Sequence, residues 1–170
     1  MSYAAAFLIF PLCLLVAAWT DLSEMKIPNR IPAVLGAAFL AIAPFSGLGL
    51  TDFGLHLAAS ALVLAVCFGL FALNVMGGGD AKLLAAAALW FGLNMSLLTF
   101  VVYVSYAGGA LTLLILLVRA MRGRVAAIGL PLPHSILAAK KIPYGIAIAI
   151  GGLLAFPDAP LVVAALAGLR

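Results

Sequence analysis

Among 170 residues there are only five carboxylates, and two of them, Asp21 and Asp80, stand where long apolar runs meet short polar ones. Asp21 follows the run Ala4 to Trp19, and Asp80 closes the segment Met76-Gly77-Gly78-Gly79-Asp80 ahead of an Ala- and Leu-rich stretch. Two carboxyl groups held close together cannot both ionise cheaply, so they share a proton and one acts as base while the other acts as acid. That arrangement suits hydrolysis of an amide. The anionic member takes a proton from water, the protonated member polarises the carbonyl, and the tetrahedral intermediate forms without a covalent adduct. A helix N-terminus at Asp80 favours charge there, and a helix C-terminus at Asp21 favours the neutral acid; the two titrate as one unit. Each acid alone has a plainer role, Asp80 as a helix cap and Asp21 as a partner of Lys26 or Arg30. The signal is the pair.

The elements that must bring them together are membrane spans. Hydrophobic residues make up 67% of the chain and charged residues 8%, which excludes a water-soluble domain, a disordered chain and a nucleic-acid binder. The expected fold is an all-α, polytopic membrane bundle, a single domain over residues 1–170 with about six transmembrane helices. The runs are Ala4 to Trp19, Ile31 to about Leu50 with a break near Pro44, Leu55 to Val75, Ala81 to Leu93, Leu97 to Val118, and Ile142 to Phe156. The polar residues from Thr20 to Arg30 read as a loop, and three successive glycines at 77–79 read as a break with unusual backbone angles. The first run has neither a preceding basic residue nor a cleavage pattern, so no removable signal is expected. With the N-terminus outside, the cytoplasmic loops hold Lys26, Arg30, Lys82, Arg119, Arg122, Arg124, Lys140 and Lys141, leaving only Arg170 on the far side, as the positive-inside rule requires. Two spans separate Asp21 from Asp80, and an even number of crossings returns the chain to the side it left. Both acids therefore face the cytoplasmic end, with Glu24 beside them and Asp52 and Asp158 opposite.

Other residues have two readings each. Gly77, Gly78 and Gly79 permit close approach of a substrate backbone. Asn29 either hydrogen-bonds near the acids or caps a helix, Lys82 either acts on Asp80 or marks topology, and Tyr144 either meets substrate or belongs to an aromatic belt. These six are the candidate substrate contacts. His56 and His134 lack a Ser, Cys or Glu partner at motif spacing and read as interfacial side chains. Cys13 and Cys67 lie alone in apolar runs, so no metal and no cofactor is expected. Small residues such as Gly108 and Gly109 suit close helix packing. The Val125 to Ala138 stretch reads as interfacial, and the arginines before it as a lipid-headgroup anchor.

Three segments in register resemble a known family. Gly77-Gly78-Gly79-Asp80 is similar to the GxGD signature of membrane aspartic proteases. Asp21-Leu22-Ser23-Glu24-Met25-Lys26-Ile27-Pro28-Asn29 resembles the D-(x)n-IPN segment of type IV prepilin peptidases, and Lys141-Ile142-Pro143-Tyr144-Gly145 resembles the PYG segment near their last helix. The resemblance implies a multi-pass endopeptidase of the bacterial inner membrane, with Asp21 and Asp80 catalytic. Its partners would be membrane lipids and a prepilin or pseudopilin substrate, whose leader it removes at the cytoplasmic face. The cysteine-bearing segment of the bifunctional members is missing ahead of the first span, so the implied activity is peptidase without methyl transfer, most like the Flp, or tight-adherence, branch. A small proton- or cation-coupled transporter subunit using the same acids is the competing reading.

Overall fold

The computed structural model describes residues 2–121 and 142–167. The expectations for Arg122, Arg124, His134, Lys140, Lys141, Arg170 and the Val125 to Ala138 stretch fall outside the described residues. Within them every element is helical: α1 (Ser2–Glu24), α2 (Arg30–Ile42), α3 (Leu50–Ala72), α4 (Gly78–Phe91), α5 (Met95–Ala120), α6 (Tyr144–Ala155) and α7 (Pro160–Ala167), with 3-10 turns at Ala43–Phe45 and Phe156–Asp158. The chain is an all-α membrane bundle.

Four stretches are long and apolar enough to cross a bilayer, Phe7–Glu24, Leu50–Ala72, Met95–Ala120 and Tyr144–Ala164, where six crossings were expected. The two that fall short are α2, at 13 residues, and α4, at 14; each is about 20 Å long against a hydrocarbon core of about 30 Å. Gly92, at φ 69°, ends α4, and Pro44 with its 3-10 turn ends α2. A helix that stops inside an apolar layer must find partners for its last carbonyls. Those of α4 are supplied from neighbouring segments. The Phe91 carbonyl accepts from Ser96 Oγ at 2.8 Å and from Asn94 Nδ2 at 3.0 Å, and His56 Nδ1 donates to the Leu89 carbonyl at 2.5 Å. His56 is therefore a buried structural donor rather than the interfacial side chain expected.

The first loop is also shorter than expected, because α1 continues through Thr20 and Asp21 to Glu24. Thr20 and Ser23 point their hydroxyls back at the Ala17 and Trp19 carbonyls of their own helix, so polar side chains here do not break it. Met25, in the left-handed region at φ 54°, ends the helix, a position usually taken by glycine.

Lipid tails are as apolar as leucine, so helix association rests on close packing and hydrogen bonds rather than on exclusion from water. Helix α4 is the centre, buried at Ala81 and from Leu83 through Phe91, and it packs against α2, α3 and α6. Helix α6 lies between α1 and α5. It fits because Gly151 and Gly152 are adjacent: a Cβ on the first would stand 2.5 Å from the Val104 backbone nitrogen of α5, and one on the second 2.6 Å from Leu14 of α1. Away from the acids an aromatic layer joins the helices. Phe10 stacks on Phe156 with ring centroids 4.5 Å apart and meets Trp90 at 5.2 Å, and Phe91 stacks on Phe100 at 4.6 Å.

Candidate active site

The level of the two acids follows from helix geometry. Phe10 of α1 and Phe91 of α4 meet edge to face, with centroids 5.8 Å apart. Asp21 lies eleven residues after Phe10 along α1, and Asp80 eleven residues before Phe91 along the antiparallel α4. Eleven residues rise about 16 Å and make just over three full turns. Both acids therefore lie at one depth below the aromatic contact, on the same helix faces as the two rings. On α1 that face reads Phe10, Leu14, Ala17 and Asp21, with the first three fully buried and Asp21 6% exposed.

Asp21 is thus a core position of α1. Its Oδ2 accepts a 2.6 Å hydrogen bond from the backbone N–H of Gly145, in the first turn of α6. The electrostatics differ from the sequence reading, in which Asp21 faced only the unfavourable end of its own helix. The carboxyl group instead meets the N-terminus of another helix, where free N–H groups favour negative charge. Asp80 lies in the first turn of α4, so a helix N-terminus stands beside each of the two carboxyls.

The glycines serve space more than backbone freedom. Gly77 is the extended residue before α4, while Gly78 and Gly79 are already helical, and none of the three has positive φ. A Cβ at Gly77 would stand 2.7 Å from Asp80 Oδ2, one at Gly78 3.3 Å from the Phe71 ring, and one at Gly79 3.1 Å from Ile27 Cβ. Gly145 has the same role for the other acid: a Cβ there would lie 2.9 Å from both Cβ and Oδ2 of Asp21 and 3.1 Å from Ile27 Cδ1. Ile27, 9% exposed, is consequently wedged between the starts of α4 and α6. Neither Ile27 nor Gly145 was singled out from the sequence, although both lie in the Ile27-Pro28-Asn29 and Pro143-Tyr144-Gly145 segments.

A cleft of about 450 Å³ opens between these segments, lined by Asp21, Glu24, Asn29, Gly77, Gly78, Gly79, Asp80 and Ile142 among others. A second cavity of about 460 Å³ shares Gly77, Asp80 and Ile142 with it and is bounded by Met76 and Tyr144. Of the candidate contacts, the three glycines and Asn29 line the first cleft and Tyr144 lines the second. Lys82 lines neither; its Nζ donates to Asn29 Oδ1 at 3.0 Å. Asn29 accordingly makes no side-chain cap to α2. Gly108 of α5 leaves room for the Tyr144 hydroxyl, which a Cβ there would overlap, whereas Gly109 faces open space. Asp52, in the first turn of α3, and Asp158, in the turn that begins with Phe156, lie at the far end of the bundle.

Comparison with curated proteins and with solved structures returns no match. The type IV leader peptidase family matches over residues 8–113, a stretch that holds Asp21 and Asp80 and stops short of Tyr144. With more than half of its length matched, this membrane chain belongs to the type IV leader peptidase family.

Proposed function

We propose that Asp21 and Asp80 are the catalytic pair of an aspartic endopeptidase that removes the leader of type IV prepilins, of the Flp kind, by activating one water between them. The observation that carries this reading is the shared cleft: two carboxyls on separate helices, at one depth, open to the same space. One carboxyl withdraws the proton of the water as the other protonates the carbonyl oxygen, and they exchange roles when the amine leaves. The scissile peptide runs in extended form over Gly77 and Gly78, where no side chain intervenes. Asn29, held by Lys82, borders that path. The reaction is peptide hydrolysis alone, without methyl transfer.

The cytoplasmic face of a bacterial inner membrane is the proposed location. It is supported by the basic residues Lys26, Arg30 and Lys82 near the acids, with Arg119 towards the same end of α5, the arrangement of a positive inner side. A transporter built on the same acids draws no support from the family match.

The test is coexpression with a type IV prepilin precursor. Asp21→Asn and Asp80→Asn are nearly isosteric and each removes an ionisable carboxyl. Each is expected to abolish leader removal, by about 10³-fold or more for a lost acid–base group, while inserting at wild-type levels. Wild-type processing by either variant would exclude the two-carboxyl mechanism.

A further inference from the structure

A lateral groove of about 590 Å³ runs along the bundle between α3 and α5. Val66 and Leu70 of α3 form one wall, Val101 and Ser105 of α5 the other, and Leu84 of the buried α4 lies at the base. The lining is apolar apart from Asn94, Ser105 and Tyr144. The groove is continuous with the acids: Leu70, Met76 and Tyr144 line both the groove and the cavity that contains Asp80. Along α3 its lining runs from Leu62 to Leu70, and along α5 from Leu97 to Ser105. Each is about 12 Å, or roughly two turns of helix.

We propose that this groove seats the first two turns of the substrate's apolar helix, immediately after the scissile bond; the inference rests on the peptidase reading above. The chemistry of such a substrate fits the shape in order. A polar leader must lie in the aqueous cleft with the acids, and the helix that follows must enter the lipid without a gap. Tyr144 and Met76 mark that boundary. The substrate helix begins beside them and runs outward parallel to α4, its side chains between the walls of α3 and α5. A shallower surface of about 350 Å³ between α2 and α3, which includes Leu64 and Lys82, shares neither acid with the cleft. It is the natural control.

The experiment uses the full-length membrane enzyme with a type IV prepilin precursor. A photo-crosslinking residue is introduced at Val101 or at Leu64 in the Asp80→Asn background, and Val101→Trp and Leu64→Trp are made in the active enzyme. Val101 is 41% exposed, so tryptophan there fills the groove rather than the packed core. The expected result is a precursor adduct from position 101 and none from 64. Val101→Trp should lower kcat/KM about tenfold or more, chiefly through KM, the scale of one large apolar side chain left unburied, and Leu64→Trp, on the control surface, should stay near wild type. Lipid-only adducts at 101, or equal precursor adducts at both positions, overturn the groove assignment. So does wild-type processing by Val101→Trp. All three leave intact a leader removal that still depends on Asp21 and Asp80. Processing that no longer depends on those acids is the separate failure of the peptidase reading.

Discussion

Replacing Gly145 by alanine tests whether α6 holds Asp21 in place. The added methyl would lie 2.9 Å from Asp21 Cβ and Oδ2 and 3.1 Å from Ile27 Cδ1, closer than carbon approaches carbon or oxygen without displacement. Asp21 is fixed to the buried face of α1, so relief comes from rotating the carboxyl or lifting the start of α6, and either stretches the 2.6 Å bond from the Gly145 N–H. A hydrogen bond to a charged group contributes about 1.5–3 kcal/mol, and about 1.4 kcal/mol corresponds to a factor of ten. A shift of about 1 Å in a catalytic group costs about a hundredfold. Leader removal should therefore fall roughly 10- to 100-fold, almost entirely in kcat, since Gly145 lines neither the acid cleft nor the groove.

Stability should fall as well, because the helix preference of alanine over glycine, up to about 1 kcal/mol, is smaller than the cost of overpacking a closed contact, about 1–3 kcal/mol. The assay is the ratio of processed to unprocessed precursor at equal amounts of inserted enzyme. Adding Ile27→Val removes the second obstruction and lets α6 tilt, so part of the activity should return. Wild-type processing by Gly145→Ala would mean that Asp21 does not need the α6 N-terminus, and the electrostatic account of the site would have to go.

Gly77→Ala puts a methyl 2.7 Å from Asp80 Oδ2 and should reduce turnover by about tenfold or more with normal insertion; unaffected turnover would show that the carboxyl of Asp80 works in another orientation. His56→Ala removes the donor to the Leu89 carbonyl and a ring 5.1 Å from that of Phe39. It should destabilise the enzyme by about 2–4 kcal/mol, seen as a lower unfolding temperature in detergent, while turnover per folded molecule is unchanged because His56 lies at the end of α4 remote from the acids.

The acids were legible because charge is rare in this chain and two helices, α2 and α3, lie between them. Their setting was not. On α1 the buried face at Phe10, Leu14, Ala17 and Asp21 has helical spacing, yet the intervening residues are equally apolar, because lipid and protein core favour the same side chains. The amphipathic signal that marks a helix face in a soluble protein is absent. Thr20 and Ser23 looked like a loop since their own-helix hydrogen bonds leave no mark in the sequence. The glycines at 77–79 suggested conformational freedom, but what they supply is room for Asp80, Phe71 and Ile27, which depends on segments far along the chain. The Lys82 to Asn29 bond joins residues 53 positions apart and could not have been foreseen from either alone. The shortness of α4 was legible from its 13-residue apolar run; how its buried end is satisfied was not, because that depends on His56, Asn94 and Ser96.

The two layers of the bundle have opposite compositions for one mechanical reason. Around Phe10, Trp90, Phe91 and Phe156 the side chains are large and almost wholly buried, and interlocked rings fix the spacing and rotation of α1, α4 and the segment that follows α6. Around the acids the chain is small at each contact, with Gly77, Gly79 and Gly145 packed on Asp80, Ile27 and Asp21. Packed helices transmit a displacement rather than absorb it, so the aromatic layer sets where each acid lies, about 16 Å along its helix, and the glycines leave room for the carboxyls beside them. On the proposed function the cleft admits both water and an extended peptide, and it cannot then be filled with large residues of its own. Its precision has to come from elsewhere, and in this fold it comes from the rings at the other end of the same two helices.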